Sequence, residues 1–327
     1  MIYPDFPGKK RFKIVSFSLK TQAGKSEMPA IVLIHGLGMN NYFWVDPEKC
    51  FVLGGLAPLT IFLGSDEPKT DNTISFGSVE PNIEGLWNRL IRAGFSLASW
   101  TQSQPLGPIR IAVHELKTAI DMIRNAWPGK SIYLVGHSRG GLIARKFLSE
   151  ESAQVISGLV TINSPHAGTA LAKFSRYLKP AGTVLEKILP SKSRANLTRA
   201  LSRLAVFLQS PAIAELEPGS EFIESLPEDL PQHMAKLSFG GTDPALFHVI
   251  VRLPAGHRRV VKFPDLLAGA VPLKNMPREL TFGLGDGLVS AESAKLPGSK
   301  HYDFPANHVK AAYDKDVHET ILNFLQT

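Results

Sequence analysis

A serine hydroxyl acylates only where it is presented without crowding and where an imidazole can take its proton, so a serine on a tight, glycine-flanked turn is the residue to look for. Ser131 to Gly141 reads Ser-Ile-Tyr-Leu-Val-Gly-His-Ser-Arg-Gly-Gly. The β-branched and aromatic run predicts a strand, and Gly136-x-Ser138-x-Gly140 predicts a sharp turn. Leu142, Ile143, Phe147 and Leu148 then fall at helical spacing, giving strand, turn and helix in succession. Glycines two before and two after the serine let strand and helix approach while Oγ points outward. Ser138 is therefore the candidate nucleophile; the competing reading is an ordinary strand-to-helix turn that contains a serine.

An activated serine needs a base, and the base needs a carboxylate to fix its tautomer. In parallel sheets of this kind acid and base follow on loops after later strands. Asp286, between Gly285 and Gly287, and His308, just past the last predicted strand, suit those roles. Asp243 also follows a strand, and His301, Asp303 and His318 lie close in sequence to His308. Asp286 ranks above Asp243 because its loop lies nearer the terminal histidine, and His308 above His301 because it lies in a loop. His318 is expected to be solvated in the closing helix, and His137 to pack under the turn. A glycine turn after a central strand, His35-Gly36-Leu37-Gly38, leaves backbone N–H groups free for an oxyanion. No His/Cys/Asp cluster has metal-ligand spacing, and no cofactor motif is present.

These residues must be held by an alternating βα framework. Strands are predicted over Lys13–Ser18, Met28–Ile34, Phe95–Trp100, Val155–Asn163, Ala235–Gly240 and Lys300–Phe304, besides the one before Ser138. Helices are predicted over Pro81–Arg92, with Ile83, Leu86, Leu90 and Ile91 inward, over Pro108–Trp127, and around Val317, Ile321, Phe324 and Leu325. The fold class is α/β: a mostly parallel, doubly wound sheet with helices on both faces. Ligands bind such sheets at the carboxyl ends of the strands, where HGLG, Ser138 and Ser164–Gly168 all fall. The core is assigned to 1–168 and 233–327, and an inserted helical cap or lid to 169–232. Residues 242–278 have no legible assignment.

The 327 residues carry a net charge of +7, and mean hydropathy is +0.01, as in an ordinary globular chain. Lys and Arg outnumber acids eight to one between Leu171 and Ser210, whereas Pro211–Leu230 holds six acids and no base. No nucleic-acid module accompanies the basic cluster. If the cap is a lid, Leu171, Phe174, Leu178, Leu201, Leu204 and Phe207 face an acyl pocket, and the basic outer face suits a lipid aggregate or anionic membrane surface; a closed cap with solvated bases is the alternative. The single cysteine, Cys50, allows no internal disulfide, and Met1–Lys25 has no apolar signal core, so a cytoplasmic location is expected.

HGLG at His35–Gly38, GHSRGG at Gly136–Gly141, NSPHAGT at Asn163–Thr169, GDGLVS at Gly285–Ser290 and NHV at Asn307–Val309 occur in that order. In these motifs the chain resembles an α/β-hydrolase of the bacterial lipase and esterase type. The resemblance implies Ser138 as nucleophile, Asp286 as acid, His308 as base, and the backbone N–H groups of Leu37 and Arg139 as the oxyanion hole. Many relatives have Gln where Arg139 stands, so a change in pocket charge is expected. The function implied is hydrolysis of a carboxylic ester with a substantial apolar acyl part, through an acyl-enzyme. The alternatives are a thioesterase or acyltransferase with the same chemistry, and a non-catalytic binding protein on this fold.

Overall fold

Parallel strands that are apolar throughout must be covered on both faces, and the alternation of side chains decides which residues each face receives. The computed structural model describes residues 18–68, 74–79, 83–149, 154–170, 172, 207, 209–253, 257–262, 264–265 and 276–326. Its principal strands are β1 (Leu19–Gln22), β2 (Ala30–Ile34), β3 (Ile74–Phe76), β4 (Ser96–Trp100), β5 (Ile132–His137), β6 (Ile156–Ile162), β7 (Ala235–Gly241), β8 (His248–Arg252), β9 (Arg258–Lys262) and β10 (Lys300–Phe304). The longer helices are α1 (Leu86–Ala93), α2 (Ile109–Ala126), α3 (Arg139–Phe147) and α4 (Lys315–Leu325).

The central sheet has the order β1-β4-β2-β5-β6-β7-β10. Every neighbouring pair is parallel except β1 with β4. All residues of β2 and β4 are buried, as the continuous apolar runs require. Ile31, Leu33, Val135 and Phe239 pack on one face with Leu86 and Leu90 of α1 and Val317, Ile321 and Leu325 of α4. Ala30, Val32, Ile34 and Leu134 point the other way, onto Val113, Leu116 and Ile120 of α2 and Leu142, Ile143 and Phe147 of α3. The sheet thus separates two apolar layers, and the candidate residues lie where its strands end.

Several expectations change. The strand expected over Lys13–Ser18 falls outside the described residues except for Ser18, and the edge is formed by Leu19–Gln22. Residues 242–278 contribute β8 and β9, which join β3 in a separate antiparallel sheet of order β9-β8-β3. Ile91 is exposed, because the buried stripe of α1 runs through Leu86, Trp87 and Leu90. His318 is buried, not solvated: it lies on the inward side of α4 next to Val317, where its Nε2–H donates to the Ala312 carbonyl at 2.8 Å. Within the span assigned to the cap, Pro211–Ala214 and Glu221–Glu224 form short helical turns, and Leu216, Leu226 and Leu230 are buried with α2 and α3. Arg145 ties this segment down by donating to the Pro227 carbonyl. Among the described residues, no helix is long and apolar enough to cross a membrane.

Close packing of α3 on β2 depends on Gly140, whose missing β-carbon would overlap the Ile34 carbonyl oxygen. Gly140→Ala is expected to force the two elements apart and cost roughly 1–3 kcal/mol or more, read as a lower urea midpoint. The buried histidines carry a second expectation. Burial holds His35 and His318 at about 4, against an ordinary 6.5, even though their carbonyl partners Gly36 and Ala312 favour the charged form. The unfolded chain takes up these protons below pH 6.5 and the folded chain only near pH 4. Stability is therefore full above pH 6.5 and declines as pH falls toward 4, by roughly 3 kcal/mol at most for each histidine. Urea titrations between pH 4 and 8 should show the decline, and His318→Gln should make it shallower while leaving the part due to His35; a wild-type profile level across that range would contradict these protonation states.

Candidate active site

Three strand ends meet around Ser138. At the end of β5 the chain turns through Ser138 with φ 54° and ψ −127°, a left-handed conformation that a residue with a side chain adopts only under constraint. The constraint is visible: Ser138 N–H donates to the Ile162 carbonyl at 2.8 Å, and Gly141 N–H to the Ser138 carbonyl at 3.0 Å. Helix α3 starts at once, so Oγ projects from the carboxyl edge of the sheet and Arg139 becomes the first helical residue.

Asp286 lies in a turn that its own side chain closes, with Oδ1 accepting from the backbone N–H groups of Leu288 and Val289 at 2.8 and 2.7 Å. Its other oxygen, Oδ2, lies 2.8 Å from His308 Nδ1. Both residues are buried, and His308 N–H donates to the Asp286 carbonyl, so backbone and side chain tie the same pair. The His308 carbonyl in turn accepts from His137 Nε2 at 2.9 Å and Asn163 Nδ2 at 3.0 Å. Neighbouring Asn307 spans Phe62, Ala245 and Leu246 with its amide N–H groups and accepts from Val309 and Lys310 N–H.

The other candidates lie elsewhere. Asp243 closes a local turn by accepting from Ala245 N–H. His301 and Asp303, with Ser238, do form a Ser–His–Asp chain, at 2.7 and 3.1 Å. However, Ser238 lies within β7, completely buried and also bonded to Ser299, so no substrate reaches its hydroxyl. His137 does more than pack: stacked on Phe43 at 4.4 Å, it holds the backbone of His308. Its imidazole is pushed well below the usual value, first by burial and then by His308. Asn163 and Asn307 had no role assigned from sequence beyond membership of their motifs. Their only signal was position, at a strand end and beside the candidate base.

On the opposite side stands the glycine turn after β2. A β-carbon on Gly36 would meet Ser138 Cβ at 3.0 Å, so the turn lies directly against the serine. Gly38 N–H is taken by the Pro105 carbonyl and its carbonyl by Gly54 N–H. Among the described residues, neither Leu37 N–H nor Arg139 N–H has an acceptor. The expected effect of Arg139 on pocket charge is overturned: its side chain has no exposed surface and is turned into the protein, donating to Gln102 Oε1, Pro105 O and Gly107 O at 3.0, 3.4 and 2.6 Å. Of the residues assigned to an acyl pocket, Phe207 packs its ring against Gly38, while Leu171, Phe174, Leu178, Leu201 and Leu204 lie outside the described residues. Cys50 is buried, which pushes its thiol up to about 12 and leaves it unreactive.

A family model described as Serine aminopeptidase, S33 matches residues 106–214, about a third of the chain; the match contains Ser138 but neither Asp286 nor His308. No curated protein matches the chain by sequence. The mature form of a Bacillus licheniformis lipase, BlEst2, superposes with a TM-score of 0.57 at 14% identity, covering 94% of this chain and 98% of that one. The propeptide form of the same lipase gives 0.55 at 15% identity over 93% of this chain and 53% of the other, so the chain spans about half of that longer form. With a seven-stranded, mostly parallel sheet, a strained serine turn after β5 and this likeness over nearly its whole length, the chain has the α/β-hydrolase fold.

Proposed function

We propose that the chain is a serine hydrolase of carboxylic esters, with Ser138 as nucleophile, His308 as base and Asp286 as its carboxylate partner. One observation carries the reading: a serine strained outward at the end of β5 shares the sheet edge with a buried Asp286–His308 pair in hydrogen-bond contact. A carboxylate only accepts, so Asp286 selects the tautomer with the proton on His308 Nδ1 and leaves Nε2 basic. Nε2 takes the Ser138 proton as Oγ attacks the ester carbonyl, and the tetrahedral oxyanion is received by Leu37 and Arg139 N–H. Collapse expels the alcohol with the proton from His308, and water repeats the sequence to free the acid. Among the described residues Ser138 Oγ has no hydrogen-bond partner; in this mechanism its bond to His308 Nε2 forms in the substrate complex. Phe207 beside the glycine turn supports an apolar acyl group.

Ser138→Ala is expected to abolish labelling by a fluorophosphonate and lower kcat on a p-nitrophenyl ester by about 10³- to 10⁶-fold, with unchanged thermal unfolding. An alanine variant that keeps a sizeable share of esterase activity, or a wild type active on aminoacyl amides and inert toward esters, would refute the proposal.

Asp286→Asn is expected to lower kcat by about 10⁴-fold, because an amide admits the wrong imidazole tautomer. Asp243→Asn should leave kcat near wild type and affect only its local turn; the reverse ranking in steady-state assays would move the acid to Asp243.

A further inference from the structure

The serine-hydrolase reading leaves a buried polar chain beside the site without a role. Its centre is Gln102, in the loop after β4 and almost completely buried. Gln102 Nε2 donates to the His35 carbonyl at 2.9 Å, and its backbone N–H donates to His35 Nε2 at 3.1 Å. His35 Nδ1 then donates to the Gly36 carbonyl at 2.9 Å. In the other direction Gln102 Oε1 accepts from Arg139 Nη1 at 3.0 Å. One amide therefore spans the two segments that flank the serine and whose N–H groups have no acceptor among the described residues, the turn carrying Leu37 and the helix start at Arg139.

Loop 102–107 is itself anchored. Glu115 of α2 accepts from Ser103 N–H at 3.1 Å and from Trp100 Nε1 at 2.9 Å. Glu215 accepts from Ile109 N–H at 2.9 Å, fixing the start of α2 just beyond the loop. The loop also holds the turn directly, through Gly38 N–H to the Pro105 carbonyl at 3.2 Å.

Resting on the serine-hydrolase reading, we propose that Gln102 is a positioning residue for the oxyanion hole: its amide sets the separation and direction of the Leu37 and Arg139 N–H groups. The role requires an amide. Arg139 offers a donor and needs an oxygen; the His35 carbonyl needs an N–H. A carboxylate would satisfy the first and repel the second. An apolar isostere would lose both contacts and leave a buried guanidinium N–H and a buried carbonyl unsatisfied.

The variants are Gln102→Glu and Gln102→Leu, assayed on a soluble p-nitrophenyl ester beside wild type and followed by thermal unfolding, fluorophosphonate labelling and inhibition by an alkylboronate that mimics the tetrahedral intermediate. Misaligned N–H groups are expected to lower kcat about 10- to 100-fold with little change in KM, and to raise the boronate inhibition constant by a similar factor. Gln102→Glu is decisive: it keeps size, polarity and the link to Arg139, so a merely structural role predicts normal kcat and boronate binding in a folded protein. That result, in enzyme that still labels at Ser138, would overturn the inference while leaving the serine-hydrolase reading intact. A wild type that neither labels nor hydrolyses any ester would overturn both. If Gln102→Leu fails to fold, the Glu variant alone gives the answer.

Discussion

The site depends on the left-handed backbone of Ser138. Such a conformation costs on the order of 1–3 kcal/mol and persists only when its surroundings leave no alternative. Here β5 is clamped between β2 and β6, and the start of α3 lies so close to β5 and to β2 that only glycine fits at positions 136 and 140 respectively. The turn must be completed within one residue, and that residue is thrown outward. The same constraint starts α3 immediately, leaving Arg139 N–H as a first-turn donor with no helical partner. The placing of the proposed nucleophile at the strand end and one half of the proposed oxyanion hole are two results of a single steric condition.

The imidazole is fixed by a convergence of backbone contacts. His308 N–H and Nδ1 both engage Asp286, its carbonyl accepts from His137 and Asn163, and Asn307 staples the preceding residue to loops after β7 and before β3. His137 matters for its charge as well as its bond. The two rings lie 4.9 Å apart, where a second imidazolium would oppose protonation of His308. Burial, and then His308, push the His137 imidazole well below its usual value, so in the proposed mechanism no second positive charge stands against the base.

The legible parts of this fold in sequence are those governed by local periodicity and tight turns. Strands β2, β5 and β6 announce themselves by β-branched runs, β4, β7 and β10 by leucine and aromatic residues between turns, and the Ser138 turn by glycines at fixed offsets. What was illegible depended on distant partners. β8 and β9, HVIVR and RRVVK, do not alternate apolar and polar residues, and their sheet is completed by the three residues of β3, more than 170 positions earlier. The polar strand β1 is an edge of four residues with little apolar signature. His318 shows how an adjacent residue is misplaced: the stripe Val317, Ile321 and Leu325 already implies that position 318, three before Ile321, lies toward the core. The direction of the Arg139 side chain is not legible in sequence: a residue at a helix start can point toward the site or, as here, into the protein. Gln102 carries no motif at all; its meaning comes from the two segments it touches.

Arg139 directly follows the proposed nucleophile and is buried. Burial lowers its guanidinium to about 10, and its bonds go mainly to neutral oxygens, with Glu215 at 4.0 Å as the nearest carboxylate. Glu215 is pushed up by its own burial, so the two do not behave as a strong ion pair. Such a side chain contributes little net stability, but it contributes geometry: its planar fork meets acceptors on three residues of one loop at once. The 102–107 loop, the glycine turn and the start of α3 are thereby joined into one rigid body, with Leu37 and Arg139 N–H fixed within it. Among the described residues Ser138 Oγ has no hydrogen-bond partner, whereas the segments that bear the Leu37 and Arg139 N–H groups are tied to one another through Gln102. On the proposed reading, the two donors are therefore set before substrate arrives, and the oxyanion hole needs no rearrangement to receive a developing charge.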